Sequence, residues 1–172
     1  MEIFDVVDEH DRVVGQAPRA VVHAQGLWHR AIHVWLFNPR GDLFVQRRAA
    51  TKDTFPDCWD SSASGHVDAG EDYDACAVRE LREELGLALP ATALTRCFKI
   101  AAGPETGQEF VWVYRVVSDQ PPIINPAEIV AGAFWSPARL RDVVEQQPQV
   151  CAPSFRRVWR EFQACPGGGF PV

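Results

Sequence analysis

No disulfide or zinc framework can be read in this chain. Its five cysteines, at 58, 76, 97, 151 and 165, are odd in number and scattered. No CxxC pair and no cysteine–histidine zinc spacing occurs, so free thiols in a reducing compartment are expected. The N-terminus, MEIFDVVDEHDR, is acidic and lacks the apolar core of a signal peptide. No run approaches the roughly 18 apolar residues that span a bilayer. Positive charge is also short: 17 Lys and Arg against 23 Asp and Glu leave a net charge of −6. That argues against a protein that tracks nucleic-acid phosphates, though not against a nucleotide held through a metal ion. There is no internal repeat and no long linker. What remains is a chain of 172 residues, 47% hydrophobic, suited to one domain with a sizeable core. The expectation is a single cytoplasmic domain, 1–172, with no membrane span and no nucleic-acid partner.

The pattern alternates strands and helices. Ile3–Val7 and Val13–Gln16 flank the polar turn Asp8–Arg12 and read as an N-terminal hairpin, an element that could pair across a homodimer. A helical turn follows over Ala20–His23, ended by Gln25-Gly26. Ala31–Phe37 and Glu109–Val117 are apolar on both faces, as central strands are. Leu43–Arg47, Ala93–Ile100 and Ile129–Trp135 read as further strands. Helices are expected over Asp72–Leu85, from Ser136 to Gln147 and from Pro153 to Gln163. A loose tail is expected from about residue 165. The sum is an α/β fold. Two loops, Ala102–Gln108 and Gln120–Ala127, are candidate cleft walls. The basic cluster Arg47, Arg48 and Lys52 is a candidate contact for substrate phosphates.

The chemistry concentrates in Gly65–Leu87, GHVDAGEDYDACAVRELREELGL. At about 3.6 residues per turn, Glu80, Glu83 and Glu84 share one side of a helix. Ala75, Val78, Leu81 and Leu85 fall on the other, so the expectation is an apolar stripe on the core and three carboxylates pointing outward. Like charges four residues apart repel, and a divalent cation would remove that repulsion. Oxygen ligands on one face suit Mg²⁺ or Mn²⁺.

This stretch resembles the Nudix box, G-x5-E-x7-R-E-U-x-E-E-x-G-U with U aliphatic. Gly65, Glu71, Arg79, Glu80, Leu81, Glu83, Glu84, Gly86 and Leu87 fill every fixed position. The resemblance implies a Nudix fold, an α/β/α sandwich with a mixed central sheet. It also implies a metal-dependent hydrolase that cleaves a pyrophosphate bond in a nucleoside diphosphate linked to another moiety, or in a related small diphosphate. By motif position, Glu80 and Glu84 are the main metal ligands, joined by Glu83 and the Gly65 carbonyl, with Mg²⁺ or Mn²⁺ as the ion. Arg79 orients a box carboxylate, and Glu71 is structural. Glu80, Glu83, Arg79 and Glu109 make up the expected catalytic set. The general base is not fixed by the box; Glu105, Glu109 and Glu128 are candidates besides a box glutamate.

A narrower likeness covers about His23–Glu109. The run from His29 to His66 is similar to the active-site entry of isopentenyl diphosphate isomerases, where W-x-x-x-x-C-G-H carries a catalytic cysteine. Here Trp59 leads to Ser64-Gly65-His66, with serine in the cysteine's place. The isomerase metal site uses histidines and glutamates; His29 and His66 match it, Glu109 corresponds, and His23 is one residue off. A serine is far less acidic than a thiol, and the box glutamates are intact. Both favour hydrolysis over one alternative, an isomerase-like enzyme; the intact glutamates also argue against the other, a non-catalytic nucleotide-sensing module.

Overall fold

The computed structural model describes residues 1–165. All but the first residue of the expected C-terminal tail lies outside them. Strands β1 (Ile3–Val7) and β2 (Val13–Pro18) form an antiparallel hairpin. Helix α1 (Arg19–Gln25) ends at Gly26, whose φ of 61° is left-handed. There follow β3 (His29–Phe37), β4 (Leu43–Arg48), β5 (Trp59–Asp60), β6 (Ala63–His66) and α2 (Tyr73–Leu85). The chain continues with β7 (Thr95–Ile100), β8 (Glu109–Val117), β9 (Ile129–Trp135), α3 (Pro137–Gln146) and α4 (Pro153–Ala164).

Strand β3 organises the seven-stranded sheet. It runs parallel to β8 from His29↔Glu109 to Phe37↔Val117, and antiparallel to β6 from Ala31↔His66 to Val34↔Ala63. Strands β5 and β9 flank β4, and β7 pairs with β8, all antiparallel. Side chains alternate along β3. Ile32, Val34 and Leu36 pack toward Tyr73, Cys76, Ala77, Leu81 and Leu85 of α2. Ala31, Trp35 and Phe37 share the opposite core with Leu140 and Val144 of α3 and with Phe155, Val158, Trp159 and Phe162 of α4. Two cores on two faces make the expected α/β/α sandwich. Each large side chain contributes about 1.5–3 kcal/mol by leaving water. Trp35 is fully buried, and Trp35→Ala would cost about 3–5 kcal/mol.

Local chemistry sets the ends of α2. The Asp72 carboxylate accepts from the Ala75 N–H at 2.8 Å, and Gly86 takes the left-handed conformation at φ 66°. Its faces differ from the expectation. Ala75 is exposed and Val78 only half-buried, whereas Glu80 and Glu84 are buried. The helix is rotated so that these two carboxylates lie on the flank of its packed face. Among the described residues no helix is long and apolar enough to cross a membrane.

Candidate active site

One cleft of about 1040 Å³ opens beside α2 and β6. Its lining holds two groups, the carboxylates of α2 and the imidazoles of His23 and His66.

At the carboxylate end, Glu84 Oε2 accepts from Gln46 Nε2 at 2.7 Å and from the Ser64 N–H at 3.3 Å. Burial, then the nearby charge of Glu80, pushes the Glu84 carboxyl up to about 8. Burial raises Glu80 as well. Gly65 is required here by space: a Cβ would stand 2.0 Å from Glu80 Oε1. Arg79 ties the group together. It donates from Nε and Nη2 to the two oxygens of Glu71, both at 2.9 Å. Its Nη1 donates to Glu80 at 2.6 Å and Glu83 at 3.2 Å, and Nη2 also donates to the His66 carbonyl at 3.0 Å. The fork to Glu71 leads the causes that raise the guanidinium's pKa. Glu71 therefore anchors Arg79, while Glu83 is half exposed at the mouth. Arg79 reaches Glu80 but not Glu84, so the buried Glu84 carboxyl has no cation hydrogen-bonded to it. Hard oxygen donors so placed fit a small divalent cation.

The imidazole end is assembled by sheet register. Parallel pairing sets His29 beside Glu109, and antiparallel pairing brings His66 next to Ala31. His23 enters from α1. One ring nitrogen from each of His23, His29 and His66 lies within 4.8 Å of the others. Glu109 Oε1 stands 3.0 Å from His66 Nε2 and 3.5 Å from His29 Nε2. Burial alone would raise the Glu109 carboxyl, but the adjoining imidazoles of His29 and His66 outweigh it and bring it down to about 2. His29 Nδ1 is 2.9 Å from the Leu27 carbonyl, which can only accept, so Nδ1 carries a proton. His29 Nε2 is then left buried without a hydrogen bond. Phe4 closes this end, with ring centroids 5.7 Å from His29 and 4.7 Å from His66.

The remaining sequence candidates separate. Arg48 and Lys52 line the cleft. Arg48 Nη1 reaches Asp60 at 3.3 Å, and Lys52 pairs with Glu128. Arg47 does not join them: strand alternation turns it away from Gln46 and Glu84, and its Nε donates to the Asp57 carbonyl at 3.2 Å. Glu105 is drawn to Arg157 of α4. Ser64 lies on the cleft beside Gly65. Both expected loops contribute walls: Pro104–Gly107 on one side, and Asn125, Ala127 and Glu128 on the other. The Asn125 N–H donates to the Glu84 carbonyl at 2.9 Å, which docks that loop on the end of α2. Gln46 and Phe4 were not singled out from the sequence. An amide at a buried position of an apolar strand was the available sign for Gln46; Phe4 had none.

The family model for the NUDIX domain matches residues 27–155. A Nudix hydrolase of Streptomyces coelicolor is 55% identical over 85 residues, which is 49% of this chain and 47% of that one, about half of each. An isopentenyl-diphosphate Delta-isomerase of Photorhabdus laumondii is 32% identical over 159 residues, 91% of this chain and 90% of that one. The crystal structure of DR0079 from Deinococcus radiodurans matches with a TM-score of 0.78 at 30% identity, covering 93% of this chain and 98% of that one. The chain belongs to the Nudix family and is a Nudix hydrolase, one of a group of enzymes that generally cleave pyrophosphate bonds with the help of divalent metal ions.

Proposed function

We propose that this enzyme hydrolyses the pyrophosphate bond of a nucleoside diphosphate linked to another moiety, or of a related small diphosphate. The reading is supported above all by Glu80 and Glu84, two buried carboxylates on one cleft, the first packed where Gly65 has no side chain. Glu80, Glu83, Glu84 and the Gly65 carbonyl would hold Mg²⁺, or Mn²⁺ in its place. An ion bound there would neutralise the diphosphate and acidify the attacking water. The chain's own residues do the rest. Arg79 holds Glu80 and Glu83 in position against Glu71. Arg48 and Lys52 face the substrate's phosphates; Arg47, turned to the other side, leaves that set. A base works best near the operating pH. Glu109, brought down to about 2 by its two histidines, is therefore a weak one. Glu83 and Glu128 line the same cleft with more exposed carboxylates than Glu109, and are the acceptors this reading favours. None of the five cysteines forms a disulfide, which suits a cytoplasmic enzyme. The outer hairpin strand, with Val13 and Val14 exposed, is the edge on which a homodimer would form.

The test is a panel of diphosphates assayed with Mg²⁺ and Mn²⁺ for release of phosphate or nucleoside monophosphate. Cleavage of none of them sinks the proposal. One observation favours a second reading: His29, His66 and Glu109, which match the isomerase metal site, stand together, although Ser64 in the cysteine's place counts against it. Its test is chromatographic separation of isopentenyl and dimethylallyl diphosphate after incubation. A purely sensing module has no use for an intact, buried carboxylate set, and binding without turnover would be its mark.

A further inference from the structure

Beside the cations of the cleft stands a large ring that neither core uses. Phe55 lies on the loop between β4 and β5 and lines the cleft. It is 49% exposed and belongs to neither apolar cluster. Its backbone is left-handed, with φ 47°, and Asp57 two residues on has φ 60°. For a bulky residue ahead of a proline this conformation is strained.

Arg48 holds the strain in place. Before the ring, its Nε donates to the Thr54 carbonyl at 3.1 Å and its Nη2 to Thr54 Oγ1 at 3.3 Å. After the ring, the Asp57 N–H donates to the Arg48 carbonyl at 3.2 Å, and the Arg48 N–H to the Cys58 carbonyl at 2.9 Å. Arg19 fixes the loop's other flank through Asp53 at 2.7 Å. The loop is thus clamped on both sides of Phe55, and the ring is presented to the cleft beside Arg48 and Lys52. Strain that yields no packing, maintained at a cleft wall, is the mark of a ligand contact.

We propose that Phe55 is the platform for a planar ring in the non-phosphate half of the substrate. The enzyme would then take ring-bearing diphosphates, nucleoside diphosphate derivatives among them, in preference to open-chain ones. Every nucleobase has a flat π-face that stacks on an aromatic side chain, while Arg48 and Lys52 take the phosphates. A branched aliphatic chain gains only ordinary apolar contact from the same ring. This proposal rests on the hydrolase reading.

Binding separates the two. Calorimetry with Mg²⁺ present compares ADP with inorganic pyrophosphate on the wild type, Phe55→Leu, Phe55→Trp and Phe55→Gly. ADP should bind more tightly than pyrophosphate to the wild type. Phe55→Leu and Phe55→Gly should weaken ADP on the order of tenfold, leave pyrophosphate unchanged, and be rescued by Trp. Glycine adopts φ near +47° without strain, so Phe55→Gly should melt no lower than the wild type. Three results overturn the proposal: ADP binding no tighter than pyrophosphate, equal loss of both ligands in Phe55→Leu, or a large drop in melting temperature in Phe55→Gly. The hydrolase reading fails separately, by absence of turnover in the wild type.

Discussion

The two ends of the cleft hold different chemistry and reach it by different routes. The carboxylate end draws Glu80, Glu83 and Glu84 from five consecutive positions of one helix. The imidazole end draws His23, His29, His66 and Glu109 from α1, β3, β6 and β8. One arginine braces the first; one half-buried carboxylate braces the second. A helix gathers like charges by local spacing and then needs a counter-ion. A sheet gathers imidazoles from distant positions by register, and one carboxylate, Glu109, lies against two of them. Oxygen ligands favour Mg²⁺ and Mn²⁺, whereas imidazoles favour softer ions such as Co²⁺ and Zn²⁺. The comparison therefore predicts that the two ends can be disabled one at a time.

The largest effect belongs to Glu84→Gln. The amide keeps the size of the side chain and removes its charge from a buried position beside Gln46. Mg²⁺-dependent turnover should fall on the order of a thousandfold, with circular dichroism unchanged. Unaltered turnover would remove Glu84 from the metal set and break the comparison at its first end. At the second end, Co²⁺ should give a visible absorption band that His66→Ala weakens by about a hundredfold in affinity and Glu84→Gln leaves alone. A band that disappears in Glu84→Gln would mean one shared site rather than two. A smaller effect is expected for Arg79→Lys. Lysine cannot reproduce the fork to Glu71 at 2.9 Å on both oxygens, so turnover should fall about tenfold and Mg²⁺ affinity with it. Unchanged Mg²⁺ affinity would reduce Arg79 to a surface residue.

The same contrast governs what could be read before the fold was known. Strands β3, β8 and β9 and the span of α2 were legible, because periodicity is local. The box was legible because its clustered glutamates, Glu80, Glu83 and Glu84, share one helix. The short strands β5 and β6 were not: Trp59–Asp60 and Ala63–His66 become strands through pairing with β4 and β3, and their own residues carry little signal. Nor was the burial of Glu80 and Glu84. Helical spacing gives which residues share a side, but the sheet decides which side is covered. Arg47 and Arg48 differ by one position, and the alternation of β4 parts them. The three histidines lie up to 43 positions apart, and only the register of β3 with β6 and the placing of α1 bring them together.

The smallest effect probes how the hairpin supports the imidazole end. Phe4 of β1 stacks on His29 and His66, and the hairpin's turn is fastened to the sheet through Asp11. Asp11 accepts from Arg30 Nε at 2.6 Å and Tyr73 Oη at 2.8 Å, and pairs with Lys99. Burial alone would raise its carboxyl, but the hydrogen bonds from Arg30, Lys99 and Tyr73 outweigh it and leave the pKa below its ordinary value. A carboxyl depressed on folding stabilises fully above its unfolded pKa, near 4, and that contribution is lost as pH falls through the folded value. Asp11→Asn tolerates the left-handed φ of 59° and removes only the charge. It should cost about 1–3 kcal/mol at pH 7, measured by urea unfolding. The gap to the wild type should hold from pH 7 to about 5 and narrow below about 4, because the wild type then loses the same charge. Hydrogen exchange should quicken in β1 and β2, and Co²⁺ affinity should decline a few-fold, while Mg²⁺-dependent turnover stays level. Equal losses at both ends would show that the hairpin braces the whole cleft and not its imidazole half.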